Sequence, residues 1–372
     1  MPLPAPKRIL IIKLRHHGDV LLSTPVADAL HHACPGIETD MLVYAETAPV
    51  LRDNRQIRHI FTIDRQWKKQ GLRAQIGHER QLLAELKAQH YDWVLNLSDQ
   101  WRAGVIARLC GRHSIGYAYR RRDNALWRLL HEYRVNEPGD AHITGYHLAA
   151  LAPLGLPDGY AARVRLEIGA DARESLHAKL REQGWQGESY VLAHPGSRWL
   201  FKCWEDGKTA ELLQKLLDAG KNIVLTAAPD PHEADIVRRI TGSLKTGKAR
   251  LWTLSGCLSL RELAAAIEGA ELFIGVDSVP MHMAAALDKP QVALFGPSHV
   301  HRWRPYSDRA TVVWAGDYGT LPHPDSIDTN DPTRLLSAIP VDAVWHEAAK
   351  KLGITDSTES TEGKTKTQHD KQ

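Results

Sequence analysis

In the run GVDSVPMH, residues 275–282, an acid, a hydroxyl and a histidine stand at a spacing that could do chemistry: Asp277, Ser278 and His282. The ELFI before it reads as a buried strand. Asp277 and Ser278 fall where a helix is capped, and Pro280 fits the first helical turn, where its missing N–H costs little. Residues 281–287 then read as the helix, and QVALF, residues 291–295, as the next strand. The free N–H groups and positive dipole end of such a helix favour an anion such as a pyrophosphate. His282, on the first turn, could donate to the same anion. Asp277 is itself anionic, which suits helix capping or sugar hydroxyls better than phosphate.

Two more clusters follow strand-like runs. After RILIIKL, residues 8–14, comes Arg15-His16-His17-Gly18-Asp19. Ligands of open parallel sheets bind beyond the C-terminal strand ends, so Asp19 stands at the mouth of a cleft. Gly18 lets the backbone turn where a side chain would crowd. By itself, Asp19 is either an acid–base group or a helix cap. After SYVLAH, residues 189–194, comes PGSRWLFKCW. There Gly196 and Ser197 offer backbone and hydroxyl donors, Lys202 is a mobile point charge suited to a diphosphate, and Arg198 is a second cation. Glu233, in AAPDPHEADIVRRI, places negative charge in the first turn of a helix. The N-terminal half also holds Arg65, Lys68 and Lys69 around Trp67, and Tyr119 followed by Arg120, Arg121 and Arg122. These clusters suit an anionic acceptor or a membrane surface, with solvated loops as the plain alternative. No D-x-D pair follows a strand to hold Mg²⁺ or Mn²⁺, so neither a metal nor any other cofactor is expected.

Strands and helices must position these groups. RILIIKL, TDMLVY, IFTID, DWVLNL and SIGYAY read as five strands of a first half, alternating with helices over residues 20–33, 78–90 and 99–110. Pro25 should kink the first of these. Residues 163–168 and a helix over 171–183 carry the chain across. SYVLAH, NIVLT, ARLWTL, ELFIGV and QVALF then supply strands of a second half, with helices over 209–219, 232–241 and 259–268 and a last one over 341–352. Such alternation implies parallel sheets covered on both faces. The expected fold class is α/β with two Rossmann-like domains facing a central cleft, residues 1–170 and 171–354, joined between residues 161 and 188. Residues 355–372 have no apolar residue and are expected to be disordered.

A chain of 372 residues can build two cores. Its net charge of +3 comes without any nucleic-acid-binding motif, so no nucleic-acid partner is expected. The four cysteines show no C-x-x-C spacing and read as reduced thiols. No apolar run reaches bilayer-spanning length, and MPLPAPKRILIIKL is wrongly ordered for a signal peptide. No G-x-G-x-x-G follows the first strand, which argues against a nicotinamide dehydrogenase.

The GVDSVPMH…AAALDKPQVALFGPS and IKLRHHGDVLLSTPV runs together resemble the signatures of glycosyltransferase family 9, the ADP-heptose:lipopolysaccharide heptosyltransferases. The likeness covers about residues 8–345. It implies a GT-B enzyme that transfers heptose, with inversion, from ADP-L-glycero-β-D-manno-heptose to the lipid A–core oligosaccharide. It implies Asp19 as general base, because the acceptor hydroxyl must lose its proton as it attacks the anomeric carbon. HPGSRWLFKCW is similar to the family's donor loop, which implies Lys202 at the phosphates and leaving group. By the same resemblance Glu233 would accept from a ribose and the backbone of residues 258–260 would border the adenine. The implied location is the cytoplasmic face of the inner membrane, as a peripheral protein. Val279 and Pro280 depart from the usual small residue after the Asp-Ser pair. That variant, RHHGD and RQWKKQG are similar to the heptosyltransferase III branch, which adds a side-branch heptose to the inner core. The alternatives are a GT-B-shaped sugar-nucleotide epimerase and a non-catalytic sugar-nucleotide-binding relative.

Overall fold

A computed structural model describes residues 6–120, 122, 124–156, 160–245 and 250–354. Arg121 and the tail from residue 355 lie outside the described residues. In chain order the first half runs β1 (Arg8–Ile12), α1 (His17–Leu21), α2 (Thr24–Ala33), β2 (Glu38–Tyr44), β3 (Ile60–Ile63), α3 (Leu72–Lys87), β4 (Tyr91–Asn96), α4 (Trp101–Cys110), β5 (Gly111–Ala118), α5 (Ala125–Leu129), β6 (Tyr133–Asn136) and α6 (Ile143–Ala149). The second half runs α7 (Ala170–Glu182), β7 (Val191–His194), α8 (Asp206–Asp218), β8 (Ile223–Ala227), α9 (Pro231–Ser243), β9 (Leu251–Ser255), α10 (Leu260–Gly269), β10 (Leu272–Val276), α11 (Val279–Ala286), β11 (Gln291–Phe295), α12 (Val300–Trp303), β12 (Ala310–Trp314) and α13 (Val341–Leu352).

The strands form two six-stranded parallel sheets, ordered β3-β2-β1-β4-β5-β6 and β12-β11-β10-β7-β8-β9. Counted within its own half, each sheet has the order 3-2-1-4-5-6 of a doubly wound fold. The architecture is GT-B. Each half gains one strand beyond the five expected: β6 pairs with β5 and β12 with β11. Both are edge strands, and β6 is only half-buried.

Strand alternation splits the core between the faces of the first sheet. Ile9 and Ile11 pack on one face, and Leu10 and Ile12 on the other. The first face is continuous with Leu192, Phe273 and Met281, so the two halves share apolar packing. The single kinked helix expected over residues 20–33 is instead two helices. Ser23 Oγ and Thr24 Oγ1 donate to the carbonyls of Val20 and Leu21, three residues back, and Pro25 sits in the first turn of α2. Those bonds compete with helix continuation at the break. The chain crosses between halves over residues 161–169 without regular structure. Its backbone there is tied down by Arg163 and Arg165, whose N–H groups donate to Asp28 and Thr24.

Candidate functional site

Each sheet has its switch point where the chain reverses direction across the sheet, between β1 and β4 and between β7 and β10. The chemistry-bearing runs all leave the C-terminal ends of those strands, where such folds bind ligands. The RHHGD loop follows β1, the PGSRWLFK loop follows β7, and DSVPMH follows β10. The two halves bring them together. The His16 ring meets the Trp199 ring nearly edge-on, with centroids 6.4 Å apart. A Cβ on Gly18 would lie 3.2 Å from His282 Cδ2 and 3.9 Å from Val279 Cγ2. Glycine there is what lets α1 of one half press against α11 of the other, rather than what turns the chain.

Asp19 is the third residue of α1. The N-cap is His16, and no side chain caps the helix. The cap reading of Asp19 therefore does not hold, and its carboxylate is left for other work. It is 20% exposed and lies 3.8 Å from the ammonium of Lys13. Lys13 directly follows β1 as a buried charge. Its Nζ donates to Leu97 O at 3.2 Å and lies 2.9 Å from His147 Nε2. Burial pushes the Lys13 ammonium down to about 8, with Asp19 opposing that shift. His147 is held well below its ordinary pKa by burial and by Lys13, so its ring is neutral. With Nδ1–H donating to Leu22 O at 3.0 Å, Nε2 is left to accept from Lys13.

On the donor side, Lys202 ends a 3₁₀ turn over Leu200–Lys202 and donates to Asp277 Oδ2 at 2.6 Å. Both side chains are nearly buried, 15% and 6% exposed. Burial pushes the Asp277 carboxyl up, but the Lys202 charge and hydrogen bond, with Ser298, bring it below the usual carboxylate range. The N-cap of α11 is Ser278, whose hydroxyl donates to Val276 O instead of capping. Asp277 is thus the counter-ion of Lys202, not a helix cap. His282 is buried, and burial pushes its imidazole down to about 4. A neutral ring can donate from one nitrogen only. Its Nδ1 is a buried polar atom with no hydrogen-bond partner among the described residues.

Glu233 is buried, not a solvated first-turn charge. Asp230 caps α9, and Glu233 Oε2 accepts from Ala228 N–H at 2.8 Å and lies 3.6 Å from His194 Nε2. Burial raises its carboxyl pKa and pushes His194 down to about 4. A Cβ at Gly196 would fall 2.3 Å from Glu233 Oε2, so that glycine is required by the carboxylate beneath it. Ser197, next in the loop, is buried as well.

A cavity of 340 Å³ opens beside Asp64, at the C-terminal edge of the first sheet. Tyr44, Asp64, Arg65, Lys68, Gln100 and Arg102 line it. The Arg65 guanidinium stacks 3.9 Å above the Tyr44 ring. Gln100 accepts from Tyr44 Oη and donates to Leu14 O, which ties the cavity floor to the RHHGD loop. Arg120 and Arg122 do not line this cavity: Arg120 is exposed, and Arg122 lies 5.8 Å over Trp101. Among the described residues no group of three or more His, Cys, Asp or Glu is placed to hold a metal. Sequence reading missed Lys13, His147, Gln100 and Arg102. Lys13 alone carried a signal, as the one charge in the apolar stretch ILIIKL, residues 9–14.

Known proteins resemble this chain in sequence and in fold. The model of glycosyltransferase family 9 (heptosyltransferase) matches residues 79–333. Lipopolysaccharide heptosyltransferase 3 of Escherichia coli is 34% identical over 328 residues, 88% of this chain and 94% of that protein. A glycosyl transferase family 9 structure from Veillonella parvula superposes with a TM-score of 0.81 at 22% identity, covering 95% of this chain and 99% of that one. An E. coli heptosyltransferase solved with ADP-2-deoxy-2-fluoro heptose superposes with a TM-score of 0.70 at 21% identity, covering 92% and 99%.

Proposed function

This chain belongs to glycosyltransferase family 9, the heptosyltransferases, and we propose that it moves heptose from ADP-L-glycero-β-D-manno-heptose onto a heptose of the lipopolysaccharide inner core, with inversion. The observation that carries this reading is the meeting of RHHGD with the loops of β7 and β10 across the two halves. Residues 1–170 act as the acceptor domain and residues 171–354 as the donor domain. Asp19 is the general base: it takes the proton of the acceptor hydroxyl as that oxygen bonds to the anomeric carbon. The anomeric C–O bond to ADP breaks, and its electron pair leaves on the diphosphate. Lys202 and the N-terminus of α11 stabilise that charge without a metal. Asp277 keeps Lys202 in place. With donor bound, Lys202 reaches the phosphates, His282 donates through its unpartnered edge, and Gly196, Ser197 and Ser278 line the donor. Glu233, beside the donor loop, accepts from the donor ribose. The Arg65, Lys68 and Arg102 cavity receives the anionic core, aided by Arg120 and Arg122; Arg121, of the same sequence run, is assigned to the acceptor on sequence alone. The enzyme works at the cytoplasmic face of the inner membrane. Mass spectrometry of purified protein incubated with ADP-heptose and a panel of truncated core lipopolysaccharides tests this. The expected product gains one heptose on one truncation only; no heptosylated product from any member refutes it.

A further inference from the structure

Apolar side chains are not spread evenly over this surface. All six exposed large aliphatic residues among the described ones lie on α3, α4 and α5. On α4, Trp101, Val105 and Leu109 are 37%, 40% and 48% exposed. Their spacing of four puts them on one face, as an apolar ridge directed away from the core. On α5, Leu126 and Leu129 are 61% and 69% exposed, and at the start of α3 Leu72 is 73% exposed. The three helices are neighbours. Arg102 of α4 is ion-paired with Glu79 of α3. Trp127 of α5 meets Trp101 edge-on at 5.4 Å.

The charge around this ridge is one-sided. Residues 65–80 carry five Lys and Arg and one acid, and residues 101–129 carry seven arginines and one acid. The whole chain is only +3, so everything outside these two segments is net acidic. An exposed apolar patch framed by cations is the composition of a surface that lies in the headgroup layer of an anionic bilayer. A second copy of the chain fits poorly, because a two-fold interface would set this cationic face against itself. The face also runs into the acceptor cavity, since Arg102 lies beside Trp101 and lines that cavity.

We infer that α3, α4 and α5 form the face by which this protein docks on an anionic lipid bilayer, bringing the cavity of Arg65, Lys68 and Arg102 to the membrane surface. The inference rests on the reading of a lipid-anchored acceptor, but its test does not use the transfer reaction. Full-length protein is floated with vesicles of phosphatidylcholine alone, or of phosphatidylcholine mixed with phosphatidylglycerol, without acceptor or sugar nucleotide. It should float with the mixed vesicles and not with the neutral ones, and release as salt rises. Leu109→Ser/Leu126→Ser/Leu129→Ser should abolish flotation, and Arg108→Gln/Arg112→Gln should weaken it by about thirtyfold. Both variants should melt like the parent and keep its turnover on a deacylated, water-soluble acceptor. Equal flotation of parent and variants overturns the inference, as does absence of parent from the mixed vesicles. So does a dimer in light scattering that the serine variant makes monomeric, with no vesicle binding. Flotation without any heptose transfer would instead overturn the functional reading and leave the docking face standing.

Discussion

The Lys202–Asp277 pair should stabilise the fold around the donor site and also serve the donor, and the two roles are separable. At 2.6 Å the pair attracts by about 6 kcal/mol at an effective dielectric near 20. Desolvation consumes most of that, because the side chains are only 15% and 6% exposed. What remains visible is the cost of leaving one charge buried alone, about 3–5 kcal/mol. Lys202→Met should therefore lower the melting midpoint by about 6–20 °C at neutral pH. The loss should depend on pH. In the parent, Asp277 is held below the ordinary carboxylate value, so its contribution is present above about pH 4 and is lost as pH falls through the lowered value. In Lys202→Met only burial acts strongly on Asp277, which raises its carboxyl, and stability then falls as pH rises through the raised value. The gap between parent and variant is widest near neutrality and narrows toward acid. Lys202→Met/Asp277→Asn removes both charges and should recover most of the stability. It should not recover ADP affinity, because a charge-assisted hydrogen bond to phosphate contributes about 1.5–3 kcal/mol, a factor of about 10–150 in Kd. Urea unfolding between acid and neutral pH and titration calorimetry with ADP read the two effects. A pH-independent loss in the single variant, or ADP affinity restored in the double variant, refutes the reasoning.

Asp19→Asn should stay folded yet lose transfer by about 10²–10⁴-fold, because the amide cannot accept the proton. Near-normal turnover of the folded variant on its acceptor would remove Asp19 from the chemistry and send the search for the base to His16 or His17. Gly196→Ala drives a Cβ to 2.3 Å from Glu233 Oε2, so it should destabilise by about 1–3 kcal/mol and weaken ADP binding; an unchanged melt contradicts the packing. Turnover should persist in EDTA, and complete loss restored by Mg²⁺ or Mn²⁺ would show that a metal is needed.

The central strands are legible in the residue pattern alone. RILIIKL and ELFIGV are short, almost wholly apolar and bounded by turn residues, which is how a strand buried on both faces must read. β6 and β12 are not legible in that way. YRVN lies at a sheet edge, where half-exposure removes the demand for apolar residues; ATVVW is apolar but only half-buried at the other sheet's edge, so its pattern does not set it apart from a packed loop. The motif residues are also legible as types: Asp19, Lys202, Asp277 and His282 each follow a strand and lie at or before a helix, and chain order alone puts Asp19 at the C-terminal edge of one parallel sheet and the other three at the C-terminal edge of the second. Their partners are not. Lys13 and His147 are 134 positions apart and meet only because α6 packs beside the end of β1.

What this sequence determined by itself was the alternation that makes two doubly wound sheets and the residue types at their strand ends, because strand periodicity and helix starts are local. The state of those residues was set by the packed fold. Burial is a property of the packed molecule, and it is burial that makes His282 a neutral ring and brings Lys13 down to about 8. Pairing across the fold decided that Asp277 is the counter-ion of Lys202 and that Glu233 lies beneath Gly196. Local spacing specifies where a side chain leaves the backbone; its charge depends on the distant groups that exclude water around it.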